Sequence, residues 1–325
     1  MTYNKCPLYS LNSKKMLSYL LKIPSKQYFS QDFIAKKIHP YIEINDIGKK
    51  RLIEPPDEDI KNIQTRIKNC LSMIEVPEYV FSGIKRRSYV DNARLHIGKK
   101  YIYKTDLTAF FPSTQREKVY SFFRYKLATS SDVADILTNY TTINLDIAAC
   151  DDIAQINNFL NVKGVAVRNH LISGAPTSQI LSYLANVDMF DQLYSLSEKN
   201  NMTMTVYVDD VTFSSPYFIS YRIRKQILNI FNKNGFQVSN QKVKFYAKAY
   251  PKLVTGVIIN SKGQIVVKNS LRKRTVDEFN NLKKNPDDKI CRRKLRGLVT
   301  STRQIDRNAF PSIKLFAFDK KYKVN

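Results

Sequence analysis

The chain has 325 residues, 53 Lys and Arg against 28 Asp and Glu, and a formal charge of +25. An apolar share of 43% at this length excludes a disordered tail and allows one large or two medium domains with a real core. The positive excess is too large for a neutral metabolic enzyme and points to a polyanion, nucleic acid ahead of membrane, although the many Lys, Asn and Ile also fit an AT-rich genome.

Cys6, Cys70, Cys150 and Cys291 lie far apart without a CxxC spacing, which argues against a disulfide framework and against zinc. His39, His96 and His170 show no ligand spacing either. There is no signal peptide and no apolar run near 18 residues, so a cytoplasmic location without a membrane partner is expected.

Taken in order, residues 1–45 read as one or two short helices carrying Met16, Leu17, Tyr19, Leu20 and Leu21. Residues 41–44 alternate as a strand, 45–48 form a turn, and 49–56 return as a basic strand ended by Pro55 and Pro56. From Asp57 to Ile74, Ile60, Ile63, Ile67, Leu71 and Ile74 follow helical spacing, with Asp57 and Glu58 suited to the helix start. Asn92 and His96 fall in a segment that a helix with a buried His explains. Tyr101, Ile102 and Tyr103 read as a strand with Asp106 near its end, and Phe110-Phe111-Pro112 turns the chain toward a helix near Ser113. Residues 114–140 read as helical with Val119, Tyr120, Phe122, Phe123 and Leu127 on one face. Residues 141–165 form a helix-and-loop segment of unknown role. Gly174 and Pro176 then allow a tight turn into a helix through Ile180, Leu181, Leu184 and Val187, with Thr177 or Ser178 as its cap. Such a turn exposes N–H groups to a phosphate or a template backbone.

Thr205 to Ser215 is rich in β-branched and aromatic residues around Asp209 and Asp210. It reads as two short strands joined by a tight turn that presents both aspartates. Two carboxylates held this close repel each other. A solvated tip or a divalent cation relieves that, and a third carboxylate, Asp106, favours the cation. Three such oxygens suit Mg²⁺, which binds carboxylates together with substrate phosphates. Beyond the hairpin, Ile223 to Asn234 reads as an amphipathic helix stopped by Gly235. Pro251 to Asn260 reads as a strand, 260–263 as a turn, and 265–267 as its partner strand. From Lys268 onward the chain is helical and very basic, with Arg272, Lys273, Arg274, Lys283, Lys284, Arg292, Arg293, Lys294 and Arg296, and a modest apolar face from Phe279 and Leu282.

These residues carry a resemblance. Tyr207-Val208-Asp209-Asp210 resembles the YxDD box of reverse transcriptases, and Asp106 through Pro112 their first aspartate motif. Gly174-Ala175-Pro176 is similar to their QGxPxSP motif, with Ser173 in place of Gln and Gln179 in place of Pro. Lys242 matches a lysine of the next palm motif. Asn92-Ala93-x-x-His96 resembles the NAxxH signature of the retron branch, and Val254-Thr255-Gly256 its VTG. The resemblance covers roughly residues 40 to 310.

It implies an α+β right-hand polymerase: N-terminal helices and fingers over 1–100, a palm over 101–267 with a finger-type insertion at about 114–170, and a basic helical thumb over 268–325. It implies catalysis by Asp106, Asp209 and Asp210, which with Leu107 hold two Mg²⁺ ions, Mn²⁺ being a substitute. Lys50, Arg51, Gly174, Ala175, Pro176 and Lys242 are then expected to bind nucleotide, with Phe111 as the sugar gate. For Lys50 and Arg51 a solvated surface hairpin stays open. Asn92, His96, Val254, Thr255, Gly256, Arg272, Lys273, Arg274, Arg292, Arg293 and Arg296 are expected to face RNA. The implied function is RNA-directed DNA synthesis by a retron enzyme, making RNA-linked single-stranded DNA from a cognate structured non-coding RNA and dNTPs. A separately encoded effector protein and an antiphage role go with it. Another bacterial reverse transcriptase, a catalytically idle RNA-binding scaffold and a template-independent nucleotidyl transferase are the alternatives. No segment is expected for a ribonuclease H, protease, integrase or maturase domain.

Overall fold

The chain opens with two short helices, α1 (Lys14–Leu21) and α2 (Gln31–Ala35), whose Leu17, Leu21, Ile34 and Ala35 are buried. The structure is a computed structural model that describes residues 1–45, 48–239, 241–247, 251–319 and 321. Strands β1 (Tyr41–Ile44) and β2 (Lys50–Ile53) pair antiparallel, as the alternation predicts. Asp46 and Ile47 of their turn lie outside the described residues. Leu52 turns inward while Lys50 and Arg51 stay exposed. Helix α3 (Glu58–Leu71) buries Ile60, Ile63, Ile67 and Leu71 at helical spacing, with Gln64 donating to the Tyr140 carbonyl.

Helix α4 (Tyr89–Arg94) starts on a capping box formed by Ser88 and Asp91. Strand β3 (Tyr101–Asp106) leads into α5 (Phe110–Ser113) and α6 (Arg116–Ser121). Residues 114–140 are not one helix. A π-helical turn at Phe122–Lys126 ends α6, Ala128 takes a φ of 54°, and α7 (Ser131–Thr141) starts afresh on a Ser130 cap. The hydroxyl-rich Thr129-Ser130-Ser131 explains the break, since such side chains serve caps better than helix interiors. Strand β4 (Thr142–Asn144), helix α8 (Ile153–Val162) and strand β5 (Asn169–Leu171) give the 141–165 segment its form: a helix carried between two paired strands. Helices α9 (Ser178–Leu184) and α10 (Val187–Lys199) follow. Thr177 holds the N-cap position of α9 without a side-chain capping bond, and Ser178 donates to the Ile172 carbonyl.

The centre is a four-stranded antiparallel sheet. Strands β6 (Thr203–Tyr207) and β7 (Asp210–Ser215) form a hairpin, helix α11 (Tyr221–Lys233) follows, and β8 (Lys244–Tyr246) closes the order β6-β7-β3-β8. Successive side chains on a strand point to opposite faces. Tyr103, Phe213, Val211, Met204 and Val206 share one face, which joins Phe190, Leu193, Ile227 and Phe231 of α10 and α11 in the main core. Ile102, Lys104, Asp106, Asp210, Thr212 and Ser214 share the other.

Part of that second face is roofed by α4. His96, just past α4, is fully buried, with Nδ1 2.7 Å from Ser214 Oγ and Nε2 2.8 Å from Thr205 Oγ1. Burial pushes its imidazole down to about 3, so it stays neutral. The expectation that His96 faces RNA is therefore corrected: the ring ties α4 to the sheet. His96→Ala should cost about 2–4 kcal/mol in denaturant unfolding, from the lost ring and two unpaired hydroxyls. RNA affinity of the folded variant should stay within about twofold, and a large loss of RNA binding at unchanged stability would reverse this assignment.

Residues 251–260 form a hairpin rather than one strand. Strand β9 (Lys252–Val254) turns at Thr255-Gly256 into β10 (Val257–Ile259), which pairs on its other side with β11 (Ile265–Val267). Thr255 and Gly256 have φ of 44° and 86°, the double positive φ of a two-residue hairpin turn. Val254 is fully buried in a second core with Val90, Ala93, Ile102, Val257 and Ile305, so it does not face RNA.

Helices α12 (Asn269–Lys284), α13 (Lys289–Ile305) and α14 (Pro311–Ala317) close the chain around Leu282, Cys291, Leu295, Val299, Ile313 and Ala317. This is a fuller core than Phe279 and Leu282 promised. Arg292 is 1% exposed and donates to the Phe316 and Pro286 carbonyls, and Arg296 donates to the Ala317 carbonyl. Both satisfy the carbonyls left over where α14 ends. For Arg292 the expected RNA role gives way to that structural one, while Arg296 stays half-exposed beside its bond. The whole is α+β with antiparallel sheets, as expected. Among the described residues no helix is long and apolar enough to cross a membrane.

Candidate active site

The three aspartates meet through backbone pairing. Asp106 lies directly opposite Asp210 in the β3–β7 register, and the Leu107 N–H donates to the Asp209 carbonyl at 2.9 Å. Tyr207 also pairs with Asp210, which leaves Val208 and Asp209 as a two-residue turn. Val208 has a φ of 56°, a conformation unfavourable for a β-branched residue and one that hairpin closure imposes. Leu107 is buried, so only its backbone can serve the site.

Electrostatics sets this corner apart. Burial, then the Asp106 charge, pushes the Asp209 carboxyl up to about 6. Burial also raises Asp210, against the opposing pull of Lys104, whose Nζ lies 2.6 Å from the Asp210 carboxylate. Lys242 pairs with Asp106. Asp210 Oδ1 is buried with no hydrogen-bond partner. Two lysines thus occupy the carboxylates, and among the described residues no three His, Cys, Asp or Glu side chains already converge as a ligand set. Crowded acids that raise each other's protonation, with one oxygen left orphaned, suit a divalent cation.

The aspartates lie in a cleft of about 860 Å³. Lys49, Lys50 and Arg51 from the N-terminal hairpin line it, as do Phe111, Gly174, Ala175, Pro176, Lys242, Thr255 and Gly256. The structure therefore gathers the expected aspartates and nucleotide-facing residues in one place. Gly174 has a φ of 106°, which a side chain would strain, and so shapes the loop. Phe111 is partly buried on the wall, while Phe110 packs into the core against Phe190 and Phe236.

Sequence reading missed five contributors. Lys49 lines the cleft, and the charge of Lys242, followed by burial, pulls it below the usual lysine range. Phe159 and Lys163 reach the cleft from α8 and its end. Lys104 was findable, since it sits two positions before Asp106 on one face of the strand. Glu54 carried no signal. It is fully buried, accepts from the Ser173 N–H at 2.6 Å, and lies 3.0 Å from His170 Nε2. It thereby fastens the Gly174-Ala175-Pro176 loop to the strand carrying Lys50 and Arg51.

Asn92 is buried and donates to Thr255 Oγ1, holding the left-handed turn at the cleft. The expectation that Asn92 faces RNA is corrected to a link between the two short signatures. Of the remaining basic residues, Arg272, Lys273, Arg274 and Arg293 are exposed on the C-terminal helices, outside the cleft.

A sequence model of the family described as "Reverse transcriptase (RNA-dependent DNA polymerase)" matches residues 34–277. The chain belongs to this family. Within the family, it is 27% identical over 237 residues to the retron Se72 reverse transcriptase of Salmonella heidelberg (strain 579083-10), covering 70% of this chain and 54% of that one. It is 26% identical over 219 residues to the retron Mx65 reverse transcriptase of Myxococcus xanthus, covering 66% and 49%. It is 22% identical over 255 residues to the retron Ec83 reverse transcriptase of Escherichia coli, covering 77% of each. The chain thus spans about half the length of the first two of these relatives.

Proposed function

We propose that the chain is an RNA-directed DNA polymerase of the retron kind. The observation that carries this reading is the meeting of Asp106, Asp209 and Asp210 at one corner of a cleft walled by lysines and a Gly-Ala-Pro loop. In this reading the central sheet is the palm, the β1–β2 hairpin and α8 belong to the fingers, and α12–α14 form the thumb. Asp106, Asp209, Asp210 and the Leu107 backbone would hold two Mg²⁺ ions, or Mn²⁺ in their place, which supply charge neutralisation at the transferred phosphate and acidify the primer hydroxyl. Lys242 and Lys104 keep the carboxylates paired until that charge arrives. Lys49, Lys50 and Arg51 hold the triphosphate, and the loop at Gly174 offers it N–H groups. Phe111 packs under the sugar and leaves no room for a 2′-hydroxyl. The Thr255-Gly256 turn, held by Asn92, borders the primer end.

The retron part rests on the named relatives and on the Asn92–Thr255 contact, which joins the two short signatures into one device. The template is then a cognate structured non-coding RNA, the substrates are dNTPs, and an effector protein encoded alongside completes an antiphage system. Extraction of small nucleic acids from cells expressing the chain with its native flanking DNA should yield single-stranded DNA linked to RNA. Free cDNA would move the assignment to another kind of reverse transcriptase, and the absence of any DNA product would remove the polymerase.

A further inference from the structure

From Val211 to Val276 the sequence holds thirteen Lys and Arg and not one Asp or Glu. This run leaves the catalytic hairpin, crosses α11, and reaches the start of α12. Solvated helix faces ordinarily mix both signs; α3, for example, sets Glu58 beside Lys61. On α11 the exposed positions are Arg222, Lys225 and Lys233 with the amides Gln226, Asn229 and Asn232. They recur at helical spacing and make a stripe of ~16 Å. Among the described residues, Lys242 is the only one of these thirteen basic residues in an ion pair. The three carboxylates of neighbouring α10 are engaged elsewhere, Asp188 with Lys126, Asp191 with Tyr79 and Glu198 with Tyr194.

At the start of that stripe stand three exposed aromatics, Tyr217 at 68%, Phe218 at 60% and Tyr221 at 70%. Single exposed apolar residues need no explanation, but three within five positions form a patch. Its base is rigid. Tyr101 and Phe245 stack at 6.2 Å and 8°, Phe218 meets them edge-on at 5.5 and 5.7 Å, and the Arg224 guanidinium lies 4.4 Å from the Phe245 ring centre. Arg224 also lies over Tyr103, which places α11 on the sheet face opposite Asp106 and Asp210. The patch is thus outside the cleft.

We propose that Tyr217, Phe218, Tyr221 and the basic stripe of α11 form a second RNA-binding surface for a single-stranded segment. Aromatic faces take the bases and the stripe takes the phosphates, the combination used by proteins that bind single strands. The absence of any carboxylate favours a polyanion over a protein, whose interface would carry both signs. The inference rests on the polymerase reading for its biological sense: RNA held behind the sheet keeps the template tethered while its end is copied in the cleft.

The test uses a labelled 20-nucleotide oligo(U) RNA, with the cleft saturated by a poly(rC)·oligo(dG) hybrid, whose exposed template does not pair with the probe. The wild type should still bind oligo(U). The triple variant Tyr217→Ala, Phe218→Ala, Tyr221→Ala should bind it at least about tenfold more weakly. The variant Arg222→Gln, Lys225→Gln, Lys233→Gln should lower the slope of log affinity against log salt by about 2, near 0.7 per lost phosphate contact. Both should extend the hybrid at the wild-type rate. Unchanged oligo(U) affinity in the aromatic variant overturns the proposal, whatever the basic variant does, and leaves the surface to a protein partner. A wild type that binds oligo(U) in this way but cannot extend the hybrid removes the polymerase reading and leaves the second surface standing.

Discussion

Replacing Asp209 by Asn should abolish primer extension while making the metal-free protein more stable. The activity loss should be at least about a thousandfold, since roughly 4 kcal/mol of transition-state stabilisation is at stake at 1.36 kcal/mol per decade. The stability gain follows from burial and the Asp106 charge, which push the Asp209 carboxyl up to about 6 from 3.8. A carboxyl whose folded value is raised binds its proton more tightly when folded, so the protein loses stability as pH rises between those values. Above pH 6 the charged side chain is a standing penalty, on the order of 1–3 kcal/mol. Asn removes it. The melting temperature of the metal-free variant should therefore exceed that of the wild type at pH 7.5, and the difference should close below pH 4. Mg²⁺ should raise the wild-type melting point and do little for the variant. RNA affinity should be nearly unchanged. Near-normal extension by the variant would take Asp209 out of the chemistry, and an unaltered melting point would mean that the buried charge costs nothing.

Phe111→Ala should admit ribonucleotides. The ring lines the cleft beside the aspartates, and its partial exposure leaves one side free to meet a sugar. Steric rejection of one small group is worth about 1–3 kcal/mol, or roughly 10- to 200-fold in the ratio of kcat/KM values. The ratio for a ribonucleotide over its deoxy counterpart should rise by that factor on a poly(rA)·oligo(dT) hybrid. Phe110→Ala is the control. Phe110 packs in the core against Phe190 and Phe236, so its loss should lower stability and leave sugar choice alone. An unchanged ratio in Phe111→Ala would return Phe111 to the ordinary role of a wall residue.

The parts of the site that could be read in advance were those set by local periodicity. Asp209 and Asp210 announced themselves between two β-branched runs, and Asp106 ended a strand. The β1–β2 hairpin and α3 followed from alternation and from the spacing of Ile60, Ile63, Ile67 and Leu71. Motif likeness misled where a side chain turned inward. His96 and Asn92 stand in a short signature, yet both are buried. Arg292 sits in a basic run, yet it is buried and caps the Phe316 carbonyl at the end of α14. The break at Thr255 was hidden because a β-branched residue rarely takes a left-handed turn. Asn92, far away in sequence, helps to hold it there.

Composition and periodicity by themselves determined a globular chain of helices and strands with a strong positive charge and two carboxylates at a hairpin tip. Local spacing sets these, because a residue's place on a strand or helix depends on neighbours two to four positions away. The tertiary structure alone decided that Asp106 pairs across from Asp210, that Lys104 and Lys242 hold the two carboxylates, and that Glu54 fastens the loop at Ser173. It alone also set α11 behind the sheet, away from the aspartates. Those outcomes depend on which surfaces meet, and contacts between residues distant in the chain leave no periodic trace in it.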